Sequence, residues 1–142
     1  MEDFDFYVDK KNVIKITPNF ERVKSVISDG EDRIKDSNLL DVNRFPKMIF
    51  ENYYDAIRGL LDAILLIDGY KSYSHEAPIM YLSKKGFDVT VIRRLDNFRF
   101  LRHGSKYYGR KISIEEAKDI KEFYLEIKDR LYKVLNKTKE LE

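Results

Sequence analysis

Pro46-Lys47-Met48-Ile49-Phe50-Glu51-Asn52-Tyr53-Tyr54-Asp55-Ala56-Ile57-Arg58-Gly59-Leu60-Leu61-Asp62-Ala63-Ile64-Leu65-Leu66-Ile67-Asp68 is the stretch that decides the fold. Phe50, Tyr54, Ile57, Leu61 and Ile64 recur in it at steps of three and four. That spacing puts them on one face of a helix, with Pro46 at its first turn. From Leu60 to Ile67 the apolar character extends nearly all round. Such a helix belongs at the centre of a bundle or at a subunit interface. Asp62 interrupts the apolar run, so its burial demands a partner, and Arg58, one turn earlier, is within reach as a structural ion pair.

The segments on either side carry the same periodicity. Thr17-Pro18 reads as an N-cap and a first helical proline, followed by a seam of Phe20, Val23, Ile27, Gly30 and Ile34. Gly30 is the weak or closely packed point of that seam. After the turn at Gly69, Ser74 caps a short helix with Ile79, Met80 and Leu82, which Gly86 ends. Asp88 caps another, with Val91, Leu95, Phe98 and Leu101, whose far end Gly104 and Gly109 make irregular. Ser113-Ile114-Glu115-Glu116 fits a capping box ahead of Ala117, Ile120, Tyr124, Ile127, Leu131 and Val134. The polar tail beyond Asn136 is expected to fray.

The first sixteen residues alternate in polarity through Phe4, Phe6 and Val8 and read as an extended arm or a short hairpin. No strand pattern competes after residue 17. The expectation is an all-α, up-and-down bundle of about five helices, with 1–16 as an N-terminal arm and 17–142 as one domain. A chain of 142 residues suffices for one hydrophobic core.

The absence of cysteine excludes disulfides, thiolate metal sites and cysteine nucleophiles. Two distant histidines, His75 and His103, do not make a standard zinc motif, so neither metal nor cofactor is expected. His75, beside a helix start, reads as structural. Neither GxGxxG nor GxxxxGK[ST] occurs. The start Met1-Glu2-Asp3-Phe4-Asp5 lacks a secretory pattern, and Ala63 to Ile67 is far short of the roughly 18 residues of a membrane span. A cytoplasmic protein without a membrane association is expected.

Charge is unevenly spread. Arg93 to Lys111 holds seven of the 27 basic residues and one acid, Asp96; the rest of the chain has 20 basic against 24 acidic residues. A positive segment on a slightly acidic chain suits an anionic partner, most simply nucleic acid or a nucleotide phosphate.

Three stretches resemble the HEPN family (higher eukaryotes and prokaryotes nucleotide-binding). Glu51-Asn52-Tyr53-Tyr54-Asp55-Ala56-Ile57-Arg58-Gly59-Leu60-Leu61-Asp62-Ala63 resembles its central helix. Gly69-Tyr70-Lys71-Ser72-Tyr73-Ser74-His75-Glu76 resembles the loop and helix start that follow. Leu101-Arg102-His103-Gly104-Ser105-Lys106-Tyr107-Tyr108-Gly109 resembles the signature. The likeness covers about Asn19 to Leu135, in order. It implies a small helical bundle that forms a homodimer with the signatures facing each other. Many members are metal-independent ribonucleases, often toxins partnered by a minimal nucleotidyltransferase antitoxin. Others only bind nucleotides, RNA or protein.

The family signature is an arginine, usually followed by a polar residue, and a histidine with four to six residues between it and the arginine. Arg102 matches the arginine and His103 the polar residue. Tyr107 stands where the histidine belongs, and no histidine follows. The resemblance therefore implies a ribonuclease that is weakened or lost.

Each residue carries two readings. Arg102 holds and stabilises a scissile phosphate, or it forms a salt bridge. His103 exchanges protons, as an imidazole titrating near neutrality can, or it supports Arg102 through a hydrogen bond. On a regular helix the two point about 100° apart, unless Gly104 realigns them. Tyr107 and Tyr108 donate hydrogen bonds, stack on bases or pack against a helix. By analogy with the family, either is also a target for adenylylation by the partner. Arg99, Arg102, Lys106 and Arg110 share one face if the helix runs on, either as an RNA- or nucleotide-binding surface or as a solvated one. The catalytic candidates are thus Arg102, His103 and Tyr107, and the binding candidates are Arg99, Arg102, Lys106, Tyr108 and Arg110. The alternative function is a non-catalytic helical protein–protein interaction module.

Overall fold

The computed structural model describes residues 2–140, with side chains for 2–136. Six α-helices and one two-stranded antiparallel sheet make up the described chain: α1 (Phe4–Asp9), β1 (Val13–Lys15), α2 (Phe20–Ser37), α3 (Pro46–Ile67), β2 (Tyr70–Ser72), α4 (Ala77–Tyr81), α5 (Val89–Tyr107) and α6 (Ile114–Glu140). A single 3₁₀ turn, Leu82–Lys85, extends α4. The molecule is a helical bundle, as expected, with one more helix and one more sheet than the periodicity shows.

Helix α3 is the axis. Its residues from Leu60 to Ile67, Asp62 excepted, are buried within this one chain. The all-round apolar segment is therefore filled by the bundle itself, and of its two expected placements the centre is the one observed. Helix α2 lies antiparallel on α3, since Val26 meets Gly59, Gly30 meets Ala56 and Asn38 meets Tyr53 in reversed order. A Cβ on Gly30 stands 3.4 Å from the Ala56 Cα, which marks the close approach read from the seam. Helix α6 packs on the other side, with Tyr124 edge-on to Tyr53. Phe98 of α5 lies between Phe50 and Phe123, joining α5 to α3 and α6.

Several caps form as read. Asp88 accepts from the Val91 N–H, and Ser113 and Glu116 exchange both bonds of a capping box; Ser74 instead stands two residues before the α4 cap, Glu76, and its hydroxyl accepts from the Glu76 and Ala77 N–H groups. Gly86, at φ 84°, ends the 3₁₀ turn in the left-handed region.

Four expectations need correction. The first sixteen residues are a helix and a strand built into the core, not an extended arm: Phe4, Tyr7 and Val13 are buried. Asp3 caps that helix by accepting from the Phe6 N–H. A strand does occur beyond residue 17: β2 pairs with β1 in the register Val13↔Ser72, Ile14↔Lys71, Lys15↔Tyr70. The cap of α2 is Asn19, which accepts from the Arg22 N–H, because Ile16 is still held to the sheet by its N–H on the Gly69 carbonyl. The tail expected to fray is helical as far as Glu140, and Leu141 and Glu142 lie outside the described residues.

The β1–β2 pairing matters for the site. It fastens the chain immediately before Tyr73-Ser74-His75-Glu76, the loop that borders the polar cavity described next.

Candidate functional site

Helix α3 contributes a stripe of charge to an otherwise apolar rod. Glu51, Asp55, Arg58 and Asp62 follow one another at steps of four, three and four, so they fall along one helix face. Helix α5 crosses near this stripe and presents Arg99, Arg102 and Lys106, also at steps of three and four. Between the helices and the loop before α4 lies a cavity of about 180 Å³, lined by residues that include Asp55, Arg58, Asp62, His75, Arg99 and Arg102. His103, Lys106 and Tyr107 complete its rim.

Arg102 is largely buried, with 18% of its side chain exposed. Its terminal nitrogens lie 3.7 Å from Glu51 Oε1 and 3.8 Å from Asp55 Oδ2, which is charge contact without a close hydrogen bond. Its Nε is buried and has no hydrogen-bond partner. Because Nε is out of reach of solvent, the donors that can take an oxyanion are the terminal nitrogens, which make no close hydrogen bond where Arg102 lines the cavity. The salt-bridge reading of Arg102 is thus correct as geometry, and it leaves binding capacity over.

Arg58 is, in contrast, fully engaged. Its Nε donates to Asp62 Oδ1 at 3.2 Å, forming the ion pair expected from spacing. Its other nitrogens donate to the Ser74 carbonyl at 3.0 Å and the His75 carbonyl at 3.4 Å. Arg58 also lies 3.2 Å from His75 Nδ1. Arginine only donates, so Nδ1 is the acceptor and the neutral imidazole carries its proton on Nε2. Burial lowers the His75 pKa from its ordinary value, and the Arg58, Arg99 and Lys106 charges lower it further, against Glu76. His75 is a neutral donor in this site.

The carboxylates shift the opposite way. Burial raises the pKa of Asp55 despite Arg102 and Arg33, and that of Asp62 despite Arg58. Arg33 stands 3.6 Å from Asp55 on the far side of the stripe. Arg99 is held by Asp96 at 2.7 Å and Glu76 at 3.3 Å, and Glu76 in turn accepts from the Tyr7 hydroxyl at 3.3 Å. The N-terminal helix is thereby linked to the cavity wall.

The structure brings Arg99, Arg102, His103, Lys106 and Tyr107 to one cavity. Helix α5 runs regularly through Gly104 to Tyr107, so no break realigns His103 onto Arg102. His103 instead packs on the tyrosines, with ring centroids 4.8 Å from Tyr107 and 5.5 Å from Tyr108. Arg110 does not join the α5 face. The helix has ended, and its guanidinium turns to Glu116 at 3.0 Å. Tyr108 lies beyond the cavity lining and is 78% exposed. Asp55, Arg58 and His75 were not among the site candidates. The stripe of charge on an apolar helix was the available signal for the first two; His75 reaches the cavity only through the folded loop. Among the described residues, no three His, Cys, Asp or Glu side chains are grouped to hold a metal ion, and no helix is long and apolar enough to cross a membrane. No family model, curated protein or solved structure matches the chain.

Proposed function

We propose that this chain is an HEPN-type RNA- or nucleotide-interacting protein, with metal-independent ribonuclease activity weakened or lost. In this reading it acts as a homodimer and as the toxin-like partner of a minimal nucleotidyltransferase. The observation that carries the binding part is Arg102: a largely buried guanidinium whose terminal nitrogens make no close hydrogen bond, in a cavity shared with Arg58, Arg99 and Lys106. Phosphate oxygens are suitable acceptors for those terminal nitrogens.

The weakening follows from the same surroundings. Cleavage without a metal needs a group to take the proton of the attacking 2′-hydroxyl and one to protonate the leaving 5′-oxygen. His75 has Nδ1 occupied by Arg58, and Asp62 is paired with the same arginine. His103 and Tyr107 are left to handle protons, while Arg102 stabilises the charge on the pentavalent phosphate. A phenol, with an ordinary pKa of about 10, is a poor base at neutral pH.

The test is RNA binding and cleavage in EDTA by wild type and Arg102→Ala. Wild type is expected to bind RNA in a salt-sensitive manner and to cleave it feebly or not at all. Arg102→Ala is expected to lose affinity, and its log–log salt slope is expected to fall by about 0.7–0.9, the share of one phosphate contact. Binding by Arg102→Ala equal to wild type in affinity and slope overturns the assignment.

A further inference from the structure

The two edges of the small sheet differ. The Ile16 N–H donates to the Gly69 carbonyl and the Tyr73 N–H to the Asn12 carbonyl. With Ile14 opposite Lys71, the alternation of an antiparallel ladder makes those two residues exchange bonds. The N–H and C=O groups of Val13, Lys15, Tyr70 and Ser72 therefore point away from the neighbouring strand. On the β1 side Val13 is 2% exposed, so the fold covers the edge there. On the β2 side Tyr70 and Ser72 are only half-buried, and among the described residues their main-chain groups have no hydrogen-bond partner. Unpaired groups along a strand edge are a template for a further strand.

A cleft of about 100 Å³ borders β2. Val26 of α2 and Leu65 and Leu66 of α3 give it an apolar lining, and Arg22 and Lys71 add two cations. Its one carboxylate, Asp62, is already paired with Arg58 at 3.2 Å. Glu21, next to Arg22 in the chain, faces Lys24. Neither Arg22 nor Lys71 takes part in a salt bridge among the described residues; Lys71 lies over the Tyr73 ring, 5.3 Å from its centre. The cleft thus joins main-chain donors and acceptors, an apolar lining and positive charge without a carboxylate partner. An extended peptide matches all three: its backbone pairs with Tyr70 and Ser72, and its alternating side chains reach the cleft or the cations. A second copy of β2 fits worse, because antiparallel pairing of the strand with itself sets Lys71 near Lys71.

We propose that the open edge of β2 docks an extended, acidic segment of a partner protein. One apolar side chain of that segment enters the cleft, and its carboxylates meet Arg22 and Lys71. Asp62 borders both this cleft and the Arg102 cavity, but Arg102 itself does not line the cleft. A strand added here lies close to the His75 loop, because β2 runs into Ser74 and His75, whose carbonyls Arg58 holds.

The experiment is a fluorescence-anisotropy titration with a short, labelled peptide of alternating valine and glutamate. Wild type is expected to bind it and not its valine–lysine counterpart. Arg22→Glu and Lys71→Glu are each expected to weaken binding about tenfold, and Arg102→Ala to bind like wild type. Two further peptides carry N-methyl groups on one or the other alternate set of backbone amides. Only one set faces β2, so one methylated peptide is expected to lose binding and the other to keep it. Equal affinity for the two methylated peptides, or for the valine–lysine peptide, overturns strand addition at β2. Full affinity in both charge-reversed variants, or no binding by wild type, overturns it as well. Loss of binding in Arg102→Ala places the peptide in the other cavity and overturns the assignment too.

Discussion

His75 shows how a side chain with no assigned role acquires one through its neighbours. Its Nδ1 faces Arg58 at 3.2 Å, so protonation would set two donors and two like charges against each other. The sign of the pH effect follows. With a folded pKa below the ordinary 6.5, His75 binds fewer protons folded than unfolded. Its contribution to stability is complete above pH 6.5 and is lost as pH falls below that value. Asp55 and Asp62, raised above 3.8, act with the opposite sign and at lower pH. Thermal unfolding of wild type and His75→Asn from pH 7 to pH 5 separates these effects: wild type is expected to lose more stability over that range. Equal losses would show that neither burial nor the neighbouring cations depress this imidazole. Arg102 and Lys106 were legible as phosphate-binding candidates because charge density is a property of sequence. The partner that Arg102 lacks was not, because it depends on which carboxylates α3 brings opposite.

Among the elements, caps were the most readable feature and short strands the least. Ser113 and Glu116 exchange their bonds at 3.0 and 2.9 Å, and Arg110 adds a third contact to Glu116. Burial works to raise the Glu116 pKa, but the bonds from Ser113 and Arg110 outweigh it and leave it lowered. Ser113→Ala is expected to cost about 1 kcal/mol, measured by urea unfolding. An unchanged midpoint would mean that packing of Ala117 and Ile120 alone starts α6. The strands β1 and β2 have three residues each and no alternation long enough to register. They exist because distant segments meet, Val13 opposite Ser72. Helix α1 was misread for a related reason. Phe4, Phe6 and Val8 alternate like a strand, but Phe4 and Tyr7 are the residues the core takes, at helical spacing.

In the whole molecule the N-terminal segment belongs to the common core. Phe4 is 2% exposed and packs on Tyr70 and Tyr81, while Tyr7 reaches Glu76 and through it Arg99. Phe4→Ala is expected to destabilise the protein by about 3–5 kcal/mol, with one unfolding transition by both fluorescence and circular dichroism. A separate early transition, with the main one unchanged, would instead make residues 1–16 an independent appendage.

The sequence by itself determined the helical bundle, the Arg58–Asp62 pair and the crowding of positive charge on α5. Each of these is local: periodicity, capping and charge spacing act within a turn or two of helix. Only the tertiary structure decided that Leu60 to Ile67 fill this chain's own core, that residues 1–16 join it, and that β2 holds the His75 loop. It also set α5 across the charged stripe of α3, leaving Arg102 with an unmet donor and separating Arg110 from the cationic row. These outcomes depend on contacts between residues far apart in sequence, whose identities carry no periodic mark of the partner they will meet.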